Sequence, residues 1–187
     1  GSLILFLLLI ARGAFATVAT GFPQKIAKAL DEEQLTGIAW STVSDGQILM
    51  GSAGYANKSK NIQMHSDHKV HVGSVSKTVL ALGVLKLITE QKLSLDTHVA
   101  ALLPDLAFEN RWQQTHPITV EHLLLHTAGL DNIRMWHLFS SKPTPNTDLS
   151  EAFSARSDNL LVVRSKPGGQ YSYSNMGYAL LGMVIEK

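Results

Sequence analysis

From Val75 to Ile88 apolar residues crowd the chain: Val75, Val79, Leu80, Leu82, Val84, Leu85, Leu87 and Ile88 leave a helix over Ser74–Glu90 almost no polar face. Such a helix is expected at the centre of a fold, buried all round. Upstream, Pro23 opens a helical pattern over Gln24–Gln34, with Ile26, Ala27 and Leu30 at helical spacing. Gly37–Val43 and Gln47–Gly51 are short apolar runs around Ser44-Asp45-Gly46, and the Asp-Gly step predicts an antiparallel hairpin. Ala56–Lys69 is polar and turn-rich and reads as an exposed connection.

Further along, Leu95–Leu103 predicts a short helix stopped by Pro104. Thr119 is placed to cap a helix over Val120–Thr127, with Glu121 in its first turn and Gly129 to end it. Ser140–Thr147, with two prolines, reads as a loop, Leu149–Val163 as helical in part, and Lys166-Pro167-Gly168-Gly169 as a firm turn. Met176–Glu186 predicts a last apolar helix in need of a packing partner. Two strands alone leave a sheet face and edge uncovered, so further strands are expected beyond residue 187.

Composition narrows the class. With 187 residues, 45% of them apolar, and a net charge of +1, the chain can bury a core and has neither the charge of a disordered chain nor a basic nucleic-acid footprint. The absence of cysteine excludes disulfides and thiolate chemistry. Leu3–Ile10 is an apolar run followed by Ala14-Phe15-Ala16, the outline of a signal peptide over residues 1–16 whose positive leading region is missing. A hydrophobic N-terminal helix packed on the fold is the alternative. The first reading predicts a periplasmic or secreted protein, with membrane association through the N-terminus as a variant, and residues 17–187 as the N-terminal portion of a larger domain.

Chemistry enters at Ser74 and Lys77, where the strand-like run His71–Gly73 meets the apolar helix. Spaced i and i+3, they project from one face of a turn. A serine hydroxyl is a weak nucleophile until a base takes its proton, and an amine serves once the helix field and burial disfavour its charge. The Ser74 N–H, unpaired at a helix start, is aimed where an oxyanion would form. The spacing by itself is weak evidence, because Ser66 and Lys69 share it and a capping serine beside a surface lysine would look the same. Tyr171-Ser172-Tyr173-Ser174-Asn175 is the second element. A phenol near a lysine can relay the serine proton, and an asparagine amide can orient substrate while accepting from the lysine. Tyr55-Ala56-Asn57 and Ser157-Asp158-Asn159 have similar outlines, but Tyr173 and Asn175 lie between a rigid turn and an apolar helix, which can hold them to catalytic tolerance.

Taken together, Gly73-Ser74-Val75-Ser76-Lys77-Thr78, Leu95-Asp96, Leu123-Leu124-Leu125-His126-Thr127-Ala128-Gly129-Leu130, Pro167-Gly168 and Tyr173-Ser174-Asn175-Met176-Gly177 resemble, in order, the motifs of the class C β-lactamase-like serine hydrolases, within the serine β-lactamase and penicillin-binding-protein superfamily. The resemblance runs from about Gln24 onward. It implies an α+β fold of the β-lactamase/transpeptidase type, with N-terminal antiparallel strands and a helical subdomain. It also implies Ser74 as the acylated nucleophile, Lys77 as its activator, Tyr173 as proton-transfer partner and Asn175 as substrate-orienting amide, with no metal and no organic cofactor. The His126–Leu130 stretch is structural in that family, so His126 is not read as a base, and Ala128 replaces a serine found in many relatives. The family's third motif, Lys-Thr-Gly or His-x-Gly, has no counterpart after Tyr173; His71-Val72-Gly73 has the letters but leads straight into Ser74. The expectation is a chain truncated before that motif, lacking the C-terminal part of the sheet.

The function these residues predict is a serine hydrolase working through an acyl-enzyme on an amide, β-lactam or ester carbonyl, of the β-lactamase, D-alanyl-D-alanine carboxypeptidase or esterase kind. An uncharacterised hydrolase or esterase is preferred over a dedicated β-lactamase. The partner expected is a small-molecule or peptidoglycan-like substrate, with no nucleic acid and no prediction of oligomeric state. The alternative is a catalytically inactive penicillin-binding-like binding or regulatory module.

Overall fold

The computed structural model describes residues 21–44, 46–132, 149 and 160–187. The chain divides into two compact units, Gly1–His71 and Val72–Lys187. The N-terminal 20 residues and most of the segment between 133 and 159 lie outside the described residues, and with them the signal-peptide reading, the Ser140–Thr147 loop and the Ser157–Asn159 triplet. Among the described residues no helix is long and apolar enough to cross a membrane.

The first unit holds helix α1 (21–32) and a three-stranded antiparallel sheet in the order β1-β2-β3. Strand β1 (Gly37–Ser44) pairs with β2 (Gln47–Asn57) from Gly37↔Gly54 to Ser44↔Gln47, as the Asp-Gly turn predicts. Strand β2 is longer than its apolar run. It continues to Asn57 and folds back through a turn onto β3 (Ile62–Gln63), so the expected open connection contains a second hairpin. Polar composition hid this strand, because pairing rather than burial holds it: both residues of β3 are exposed. Ser66 sits in a turn and Tyr55 within β2, so neither look-alike motif stands at a helix start.

In the second unit α2 (Ser76–Thr89), α3 (Val99–Leu102), α4 (Val120–Leu124) and α5 (Asn175–Glu186) surround one apolar core. Val84, Val99, Leu103, Val120, Leu123, Met176, Leu180 and Leu181 are its most deeply buried members. Helix α5 finds its packing partners in α2 and α4, with Leu180 and Leu181 fully buried. The expectation of an all-round buried α2 is corrected. Val84 is fully buried, and Leu80 and Ile88 pack on the core, but Val79 is 70% and Leu82 61% exposed. One side of the helix meets α5.

The shorter helices also deviate from their patterns for local reasons. Helix α3 begins only at Val99, because the Ser94 N–H donates to Thr97 Oγ1 in a turn and His98 bridges Thr119. Of the stretch Leu149–Val163, expected to be helical in part, 150–159 lie outside the described residues; in the rest Val162 bridges Glu109 and Val163 bridges Leu130. Helix α4 ends at Leu124 rather than Thr127, and Gly129 does not end it. That glycine has φ +71, and a Cβ there would collide with the Ser165 carbonyl where the two backbones meet. The architecture is α+β, an N-terminal antiparallel sheet with a helical subdomain.

Candidate active site

Gly73, at φ +54, turns the chain into a single 3-10 turn, Gly73–Val75, from which α2 continues. The expected strand-like approach through His71 is irregular chain instead. Ser74 therefore lies in the first turn of a helical segment, where N–H groups have no partner four residues earlier. Its hydroxyl caps neither helix start. Ser74 Oγ stands 2.6 Å from the Tyr173 phenol oxygen and accepts from Lys77 Nζ at 3.4 Å. Lys77 Nζ also donates to Asn175 Oδ1 at 2.6 Å and lies 5.1 Å from the centroid of the Tyr173 ring.

The four residues singled out in the sequence are thus brought together, two from the start of α2 and two from the start of α5. Hydrogen bonding to Lys77 first, and to Ser74 second, holds the Tyr173 phenol below the usual tyrosine range. Ser74 and Tyr173 are both exposed and Lys77 is half-buried, so the hydroxyl and phenol open to solvent on one side. Tyr171, the other tyrosine of the motif, is 68% exposed and turns to the edge of the His126 ring. Of the two phenols, the one two residues before Asn175 reaches the serine.

What holds Tyr173 and Asn175 in place is a set of bonds to the short segment between α4 and residue 132. Ser174, the motif's buried member, caps α5 by accepting from the Gly177 N–H, and its own hydroxyl donates to the Asp131 carbonyl. The Asn175 N–H donates to Asn132 Oδ1 at 2.9 Å. His126 takes two bonds: its carbonyl accepts from the Ser172 N–H at 2.7 Å and its Nδ1 from the Ser174 N–H at 3.1 Å. The ring lies 4.4 Å from Tyr173 and 5.0 Å from Tyr178, centroid to centroid. Burial, and then the charge of Lys77, keep its imidazole below the usual histidine range, which preserves Nδ1 as an acceptor.

Sequence reasoning took the His126–Leu130 stretch as structural without assigning its contacts to the tyrosine motif, and passed over Asn132, which belongs to no spacing motif. The signal lies in the end of α4. The Thr127 N–H bonds to the His122 carbonyl and the His126 N–H to the Leu123 carbonyl, a Schellman pair with His126 in the left-handed position at φ +57. Glycine is the usual occupant there, and a side chain costs about 1–2 kcal/mol. Among the described residues no group of three His, Cys, Asp or Glu side chains could hold a metal ion.

The chain is 29% identical to Protein flp of Staphylococcus aureus over 159 residues, covering 84% of this chain and 31% of that protein. It therefore spans about a third of the length of this curated relative. Among solved structures, the octameric penicillin-binding protein homologue from Pyrococcus abyssi superposes with a TM-score of 0.72 at 27% identity, covering 90% of this chain and 39% of that one. The D-amino acid amidase from Ochrobactrum anthropi SV3 follows at 0.67 and 25%, covering 87% and 43%. The family model described as Beta-lactamase matches residues 22–187, and the chain belongs to that family.

Proposed function

We propose that the protein is a serine hydrolase of the class C β-lactamase-like branch, acting by an acyl-enzyme on an amide, β-lactam or ester carbonyl of a small or peptidoglycan-derived substrate. The observation that carries this reading is the 2.6 Å approach of the Tyr173 phenol to the Ser74 hydroxyl, with Lys77 bonded to both Ser74 and Asn175. The amidase among its relatives supports an amide carbonyl.

In the proposed acylation Ser74 Oγ attacks the carbonyl carbon while its proton passes to the Tyr173 oxygen. Lys77, bonded to Ser74 and lying beside the phenol, is the activating neighbour that keeps the Tyr173 hydroxyl below the usual tyrosine range and so favours it as the proton acceptor. The Ser74 N–H polarises the carbonyl oxygen. Tyr173 then returns the proton to the leaving amine or alcohol, and water drawn to the same phenolate releases the acyl group. Asn175 orients the substrate through its amide nitrogen, since its oxygen is occupied by Lys77.

The test is intact-protein mass spectrometry after exposure to a fluorophosphonate and to a penicillin. A single adduct mapping to Ser74, absent in Ser74→Ala, is the expected outcome. A correctly folded protein that takes no adduct from either probe would show instead a silent binding module.

A further inference from the structure

We infer that His126 is the positioning residue that sets the Tyr173 phenol on the Ser74 hydroxyl. The inference rests on the acyl-transfer reading above only for its kinetic consequence; the structural part stands by itself. His126 occupies the left-handed residue of a Schellman helix end, where glycine fits without strain, so the fold of α4 gives no reason for an imidazole there. The reason lies on its other side. Carbonyl and Nδ1 together hold the N–H groups of Ser172 and Ser174, the two residues that flank Tyr173. The ring face backs the Tyr173 ring at 4.4 Å and the Tyr178 ring at 5.0 Å. Tyr178 in turn donates its hydroxyl to the Leu124 carbonyl, tying the stack to the end of α4.

The His126 side chain therefore supplies one of the two bonds that flank Tyr173 and the ring that backs its phenol, without touching Ser74. The acceptor must be unprotonated, and the charged or titratable groups facing it are Lys77 from α2, Tyr171 and Tyr173 from the motif, Tyr178 from α5 and His122 from α4. Lys77 opposes a second positive charge so close by.

Three variants separate this role from a merely structural one. His126→Gly suits the backbone and removes ring and acceptor; His126→Phe keeps the ring and removes the acceptor; His126→Asn tolerates a positive φ and places an amide oxygen where Nδ1 stands. Circular dichroism establishes that each is folded. Ultraviolet titration, differenced against Tyr173→Phe, then reads the Tyr173 phenol, and the rate of fluorophosphonate labelling reads Ser74. The Gly and Phe variants are expected to return the phenol toward ordinary tyrosine behaviour and to slow labelling by about 10- to 100-fold, the scale of a displaced catalytic group. The Asn variant is expected to recover both. An unchanged Tyr173 titration in either folded variant, His126→Gly or His126→Phe, overturns the inference. If the unaltered protein is never labelled at Ser74, the acyl-transfer reading fails and the titration alone still decides the role of His126.

Discussion

Ser74 carries partners of opposite character, a phenol that can take a proton and an amine that can donate one. Which of them takes the serine proton is a question that the pH dependence of labelling answers. The Tyr173 phenol is lowered chiefly through Lys77, so its deprotonated form is reached at lower pH than in a free tyrosine. The labelling rate of Ser74 is accordingly expected to climb with pH through this lowered value and to level off above it. Lys77→Met removes the largest cause and should move the climb up toward the ordinary tyrosine range near ~10. Tyr173→Phe should abolish it and reduce the rate by about 10²- to 10⁴-fold, the usual worth of a general base. A pH profile of labelling for the three proteins checks this. A climb left in place in Tyr173→Phe would return the base role to Lys77.

At the scale of the element, a histidine stands at each end of the five-residue helix α4. Thr119 Oγ1 accepts from the His122 N–H while His122 Nδ1 accepts from the Thr119 N–H, a reciprocal cap with histidine in the place usually held by glutamate or glutamine. Thr119 was legible as a cap because threonine before an apolar run is the standard signal. Its partner was not, because histidine carries no such expectation. The same limit applies to His126, which the pattern passes over in favour of Gly129. Thr119→Ala is expected to lower stability by about 1 kcal/mol in urea denaturation. Burial holds His122 below the usual histidine range, so this cap stabilises fully above the unfolded value near ~6.5 and weakens as pH falls through the folded one. Stability measured from pH 8 down to 5 (roughly that span) should decline, and His122→Gln should flatten the decline by keeping a neutral acceptor.

Over the whole molecule, what could be read in advance was whatever local chemistry determines: the hairpin at Asp45-Gly46, the helix start at Ser74, and the turn before Tyr173. What could not be read was burial, since apolar density places α2 in a core without saying which side of it the rest of the chain covers. Val79 and Leu82 show the difference, being as apolar as Leu80 and Val84 yet exposed. The core of the second unit nevertheless bears on the chemistry at one identifiable place. The Leu123 side chain and carbonyl lie against Gly177, in the first turn of α5, directly behind Asn175. Leu103, equally buried, belongs to the segment after α3. Leu123→Ala and Leu103→Ala remove the same atoms and should each cost about 2–5 kcal/mol. Only the first opens a cavity beneath the residues that meet Ser74 and Lys77. Under conditions where both variants remain folded by circular dichroism, Leu123→Ala is expected to slow fluorophosphonate labelling several-fold while Leu103→Ala leaves it near the unaltered rate. Equal slowing in both would mean that the site depends on the stability of the unit as a whole rather than on the packing of α4 against α5.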